Sequence, residues 1–306
     1  MSTVTHRGSS AATAGRLGRI ITMVVVAALF LLPILGFISL IFRSEEGLSS
    51  GTDGFLGLAG MSWDNLVHSW NELSKFGPGG GMFQRWLMNS VVVAVGGTVL
   101  AVIAAIPAGY AFARLRFRFR KSFLFITLLA MVMPNTVLVI PIFLEVNAVG
   151  AIGQLWPVAV IMGFYPFGVY MAYIHFMTTM PHELVEAARM DGLGEVRTFA
   201  QIGVPLAKQA IALVAFFSFV ANWINFFLPL ALLTSSQQNK LISIGIQELI
   251  GASPMFNATV AAGLDVKLYL PQLALATVVS MLPLLAMFLG AQRFLIKGQT
   301  AGAMKG

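Results

Sequence analysis

PHELVEAARMDGLGEVRTFAQIGVP, running from Pro181 to Pro205, carries four acidic and two basic residues in a chain that is only 10% charged, and long apolar runs lie on both sides of it. Charge at that density belongs in water, so the stretch reads as an aqueous link between two membrane spans. Glu183 to Met190 predicts a short helix. Pro181 suits its first turn, the early acids suit the positive end of the helix dipole, and Asp191-Gly192 ends it. A second helical piece from Glu195 to Gln201 follows the glycine turn, and the pair makes a compact knob.

Composition agrees with a membrane chain. A hydrophobic content of 58% in 306 residues and a mean hydropathy of +0.84 exceed what a soluble domain carries. The fold class expected is an all-α polytopic membrane protein. The absence of cysteine excludes disulfides, thiolate-bound zinc and thiol catalysis. The pI near 10.0 could suggest nucleic acid, but the basic residues fall mostly beside apolar segments, where membrane orientation explains them; no nucleic-acid partner is expected.

Residues 1–15 are Ser, Thr, Ala and Gly-rich and are expected to form a disordered cytoplasmic tail. Arg16 and Arg19 precede an apolar run from Ile20 to Phe42, about the ~20 residues a helix needs to cross the hydrocarbon. Residues 43–85 read as an external loop with an interfacial helix from Trp63 to Lys75, completing a first unit of residues 16–85. A five-helix core of residues 86–298 and a cytoplasmic tail of residues 299–306 are expected beyond it.

Within the core, a second span from Leu87 to Ala113 is rich in Ala, Gly and Val, which favours close helix packing. The block Arg114 to Lys121, with five positive charges in eight residues, follows as a juxtamembrane anchor. The third span, Phe123 to Leu144, contains Met133-Pro134-Asn135 and Ile140-Pro141, so its backbone is expected to be interrupted. The fourth runs from Leu155 to Phe176 with Pro157 and Pro166. The fifth runs from Leu206 to Leu233, a mostly polar loop covers residues 234–270, and Pro271 opens a sixth span ending near Phe294. With six spans, 14 of the 19 basic residues and four of the 12 acids fall on one side, about +10 against −3. The positive-inside rule then predicts an N-in, C-in topology with the knob in the cytoplasm.

Glu186-Ala187-Ala188, Gly192 after three residues, and Ile202-Gly203-Val204-Pro205 after nine more resemble the EAA loop of ATP-binding-cassette importer permeases; Val204 stands where leucine is usual. Asn89-Ser90, Ala108 to Arg114, Met133-Pro134, Ile140 to Phe143, Pro181 to Leu184 and the ending Gly298 to Gly306 extend the resemblance from Trp86 to the C-terminus. They are similar to the carbohydrate, maltose-type branch with six spans. One departure stands in the fifth span, where Trp223-Ile224-Asn225-Phe226 has Asn225 in place of a common glutamate.

The resemblance implies a permease subunit that forms a sugar pathway with a second homologous permease and receives sugar from an extracytoplasmic binding protein. It also implies that the knob is a coupling helix docked on one of two ATPase subunits, with Glu183, Glu186, Ala187, Ala188, Asp191, Gly192, Ile202 and Pro205 as coupling residues. Neither a catalytic site nor a metal is expected in this chain. ATP and magnesium would be bound by the partner ATPases, consistent with the lack of a Gly-x-x-x-x-Gly-Lys-Ser/Thr run. The localisation implied is a bacterial or archaeal cell (inner) membrane, in contact with lipid.

An ion-coupled secondary transporter of a small polar solute is the alternative, but the centres of the six spans hold no Asp, Glu, Lys or Arg for a relay. A passive channel would leave the knob unexplained. Candidate pathway residues are the amides and amphipathic aromatics within spans: Asn135, Tyr165, Tyr170, Asn222, Trp223 and Asn225. Sugars offer hydroxyls to amides and C–H faces to rings. The same residue types also sit at membrane interfaces or bond neighbouring helices, so each has a packing role as its alternative. Asn222 and Asn225, three apart on a continuous helix, would share a face.

Overall fold

The computed structural model describes residues 8–45, 48, 61–259, 263 and 266–303, with side chains described between residues 15 and 294. The chain divides into two compact units, Met1–Lys75 with Ile250–Val279, and Phe76–Leu249 with Ser280–Gly306. Among the described residues, four helical segments are long and apolar enough to cross a membrane, Gly15–Ile41, Met82–Arg114, Leu155–Thr179 and Leu270–Phe294. The number is up to six when each of two bent pairs is counted as one span, in keeping with the polytopic all-α expectation.

In the first unit, helix α1 (Gly8–Ile41) carries the first span. It starts inside the stretch expected to be an irregular tail. Once a long apolar helix is nucleated, a leading segment of alanines extends it at little cost, because propagation is much easier than initiation. Residues 1–7 lie outside the described residues. Helix α2 (Trp63–Lys75) has the bounds of the helix expected in the loop; residues 46–47 and 49–60 of that loop are not described. Gln272, fully buried at the start of the last helix, joins Glu45 through Nε2 at 2.6 Å and accepts from the Tyr269 N–H at 2.9 Å.

The second unit is built on helix α3 (Met82–Arg114). Its glycines do what small residues do in membranes. A Cβ on Gly109 would meet the backbone nitrogen of Tyr173 at 2.7 Å, so α3 lies directly against the fourth span. At its start, Trp86 Nε1 donates to Gln237 O (3.0 Å), Asn89 Nδ2 to Gln238 O (2.8 Å), and Ser90 Oγ accepts from Ile242 N (2.6 Å). These bonds hold the segment before helix Ile242–Gly251, which occupies part of what was expected to be a mostly polar loop. Residues 260–262 and 264–265 of that loop are not described.

The third span breaks, as its prolines predict, into α4 (Arg120–Val132), a 3-10 turn Asn135–Leu138 and α5 (Val139–Ala148), bent by 96°. The fourth is α6 (Leu155–Met162) and α7 (Pro166–Thr179), with Tyr165 (φ −123°, ψ 82°) kept out of the helical region by the proline after it. The knob is α8 (His182–Met190) and α9 (Glu195–Thr198), which runs through a π-helical segment, Phe199–Gly203, and a final turn, Val204–Leu206. A 75° bend leads into α10 (Lys208–Ile224).

The fifth span is not the single helix expected. Asn225 is extended (φ −65°, ψ 129°), and the chain resumes as α11 (Phe227–Leu233). Pro229 accounts for it, since a proline lacks its N–H and its ring collides with the carbonyl four residues earlier, here that of Asn225. Helix α12 (Ile242–Gly251) follows, and α13 (Leu270–Ala303) then carries the sixth span through most of the expected tail, with residues 304–306 outside the description.

Candidate functional site

Two places gather the residues singled out in the sequence, one at the knob and one at the breaks in the spans. At the knob, α8 ends in a Schellman motif. Gly192 has φ +77°, the Gly192 N–H donates to Arg189 O (3.0 Å) and the Leu193 N–H to Ala188 O (2.9 Å). Any other residue at position 192 would carry a Cβ into left-handed backbone. Arg189 donates through Nη2 (2.8 Å) and Nε (3.1 Å) to Glu195 Oε1, joining the two short helices across the turn.

Val185 is buried in a cluster with Tyr110, Phe176, Met180 and Ala207, against which Ile202 packs. Ala188, three residues on along the same face of α8, is also buried, at 2% exposure. Glu183, Glu186, Ala187, Asp191, Gly192 and Pro205 are exposed. Two residues that the sequence reading passed over join them, Met190 at 89% exposure and Val196 at 80%. Apolar side chains inside a charged segment were the available signal.

Beneath the knob, the Tyr110 ring lies between Phe176 (5.4 Å) and Phe199 (5.1 Å), and its buried hydroxyl has no hydrogen-bond partner among the described residues. Arg114 Nη2 donates to the carbonyls of Phe176 (2.5 Å), which also accepts from the Met180 N–H (3.2 Å), and of Met177 (3.2 Å), in the last turn of α7. So Arg114, grouped by sequence with an anchoring basic block, is a buried cap, whereas Arg116, Arg118 and Lys121 are exposed. Across the 75° bend, His175 Nε2 lies 3.0 Å from Leu206 O.

The second place is a cavity of about 640 Å³ where three backbone breaks converge: Met133 to Asn135, Phe164 to Pro166, and Asn222 to Phe227. Asn135, Tyr165, Asn222 and Asn225 all line it, joined by Thr136. The two amides of the fifth span reach it from either side of the helix end rather than from one continuous face. Asn225 O accepts from Ser243 Oγ (3.0 Å), which leaves its side-chain amide to the cavity. Asn222 is 5% exposed, and its Nδ2 is buried with no hydrogen-bond partner among the described residues. Gly97 makes room for it: a Cβ there would sit 2.7 Å from that nitrogen.

Tyr170 and Trp223 do not line the cavity. Tyr170 tilts against Tyr173 at 6.2 Å. Trp223 stacks on Phe219 (5.7 Å, 17°) and donates through Nε1 to Ser280 O (3.2 Å), which is a packing role. The rest of the lining includes Phe164, Phe167, Phe226 and Phe227, and no charged side chain belongs to it. Phenylalanines are too common in spans to have been selected by sequence. The arrangement offers neutral donors and acceptors set among ring faces, chemistry suited to an uncharged polyhydroxylated solute.

Comparison with known proteins bears on both places. Residues 97–300 match the family model for the binding-protein-dependent transport system inner membrane component. The maltodextrin transport system permease protein of Bacillus subtilis (strain 168) is 30% identical over 228 residues, covering 74% of this chain and 77% of its own. The trehalose transport system permease protein of Mycobacterium tuberculosis (strain CDC 1551 / Oshkosh) is 29% identical over 287 residues, covering 92% and 95%. The crystal structure of a bacterial ABC transporter involved in the import of the acidic polysaccharide alginate superposes with a TM-score of 0.76 at 20% identity, covering 94% of this chain and 99% of that one. That last likeness is one of fold. A family model spanning two thirds of the chain, with broken spans flanking a neutral cavity, leads to one assignment: this chain is a member of the binding-protein-dependent transport system inner membrane component family, a permease subunit of an ABC importer in the membrane.

Proposed function

We propose that the chain is one of two homologous permeases in an ATP-driven importer of uncharged sugars, and that the cavity at the three breaks is its part of the pathway. The observation that carries the reading is the buried, unpartnered Nδ2 of Asn222 at a cavity whose other polar groups are neutral. A buried donor without a partner costs ~1–3 kcal/mol, and a passing hydroxyl would satisfy it for part of the cycle. Two relatives named for maltodextrin and trehalose transport support the same cargo class. Without a lysine or arginine in the lining, a carboxylated sugar would lack a counter-charge.

In this reading the N- and C-termini are cytoplasmic, and α8 and α9 dock on an ATPase subunit through Glu183, Glu186, Ala187, Met190 and Val196. Movement of the docked knob reaches the bundle through Val185, which shares one cluster with α3 and α7. It reaches the fifth span through the 75° bend at Ala207, at whose other end the cavity lies. An extracytoplasmic binding protein delivers the sugar, and ATP and magnesium act in the ATPases. The test is reconstitution of the permease pair with its ATPase and binding protein. ATP-dependent uptake of a neutral maltodextrin, with none of a uronic-acid oligomer of equal length, is expected. Uptake driven by a proton gradient without the ATPase would overturn the reading.

A further inference from the structure

The start of helix α2 is tied to the end of the first span. The carbonyl oxygen of Phe42, one residue past the end of α1, accepts from the Ser62 N–H (2.8 Å) and from Asn65 Nδ2 (2.9 Å). The Phe42 ring meets the Trp63 ring edge-on at 5.1 Å and 87°. Since the apolar span Gly15–Ile41 ends one residue earlier, these contacts fix the first turn of α2 at the depth where hydrocarbon gives way to headgroups.

Around α2, at about 100° per residue, the side chains divide into three sectors. Ser69 and Leu73 are buried against the chain. Asp64, His68, Asn71, Glu72 and Lys75 share a polar sector, braced by the Lys75–Glu72 pair at 2.7 Å. Between them, Trp63, Val67 and Trp70 fall within about 60° of one another, with exposures of 73%, 53% and 39%. An aqueous loop has no use for that apolar sector.

We propose that α2 lies along the membrane surface, with Trp63, Val67 and the exposed edge of Trp70 inserted at the headgroup boundary of the leaflet where α1 ends. The polar sector then faces water. Lipid is favoured over a protein partner by the depth at which Phe42 holds the helix and by the preference of tryptophan for that depth. The polar sector, with Asp64 and Glu72 against Lys75, is no polybasic face, so insertion rests on apolar burial rather than attraction to anionic lipid. A helix laid flat at the end of α1 limits the tilt and rotation of the first span.

The chain has no cysteine, so single spin labels can be placed without background. Val67→Cys, Trp63→Cys, His68→Cys and Asn71→Cys are made in the full chain and labelled in phosphatidylcholine–phosphatidylglycerol nanodiscs. Relaxation by oxygen, which enters lipid, is compared with relaxation by a water-soluble nickel chelate. The oxygen-to-nickel ratio is expected to be severalfold higher at 67 and 63 than at 68 and 71, and to persist in phosphatidylcholine alone. Equal ratios at 67 and 68 would place the face in water, and exclusion of both reagents at 67 would mean that protein covers it. Either result overturns the proposal, as does a ratio that requires anionic lipid. Should Trp63→Cys fail to accumulate through loss of the Phe42 contact, the Val67 and His68 pair decides.

Discussion

Arg114 Nη2 lies 2.5 Å from the carbonyl oxygen of Phe176, so a buried cation at the end of α3 caps the last turn of α7 next to the knob. Charge-assisted bonds of this kind contribute roughly 1.5–3 kcal/mol. Arg114→Met is expected to lower the stability of the purified chain by about 2 kcal/mol, read as a lower thermal midpoint in detergent. Arg116→Met, on an exposed side chain two residues on, leaves that midpoint unchanged. Neutralising Arg116, Arg118, Arg120 and Lys121 together acts elsewhere, reducing the amount of chain inserted in its proper orientation.

Gly109 sets how closely α3 and α7 approach. Gly109→Val puts methyl groups against the backbone of Ala172 and Tyr173, whose carbonyl carbon and nitrogen would lie 2.8 and 2.7 Å from the new Cβ. Backbone cannot step aside as a side chain can. A loss of about 1–3 kcal/mol or more is expected, seen as poor accumulation in the membrane and early melting. Gly290→Val, at a site with open space around it, serves as the tolerated control.

The knob separates docking from folding. Met190→Asp and Val196→Asp change exposed positions and are expected to leave the melting midpoint intact while abolishing co-purification of the ATPase. Ala188→Asp buries a carboxylate at a position only 2% exposed and is expected to unfold the knob. Gly192→Ala costs ~1–2 kcal/mol from the left-handed backbone alone. A Met190→Asp chain that still retains the ATPase would remove this face from the interface.

Much of this was legible from prolines and charges. Pro134 and Pro166 mark breaks that the structure shows, and the charged run from Glu183 to Arg197 announced a solvent-facing knob. Pro229 carried the same information for the fifth span, but its effect falls four residues upstream, on Asn225, inside a run that otherwise reads as unbroken helix. Arg114 was masked by its neighbours, since five positive charges in eight residues look alike until packing buries one of them. Ala188 belongs with Val185 by helical period, a relation hidden when it is read as one letter of a motif. Tyr170 and Trp223 were chosen by type, and type alone does not say which way a ring points; the break at Asn225 leaves Trp223 on the packed side, bonded to Ser280.

If the cavity at the breaks carries the solute, Asn225→Leu must impair uptake by the assembled importer. The extended backbone at position 225 admits leucine, and Asn225 makes its bond to Ser243 through the main chain, so assembly and basal ATP hydrolysis are expected to persist. Losing one neutral hydrogen bond, ~0.5–1.5 kcal/mol, predicts a fall in binding-protein-stimulated uptake of roughly 2- to 10-fold. Trp223→Phe, which removes a packing bond, is expected to change stability and not the preference among sugars. Uptake by Asn225→Leu at the parent rate, or a loss explained wholly by dissociation of the complex, would contradict the account.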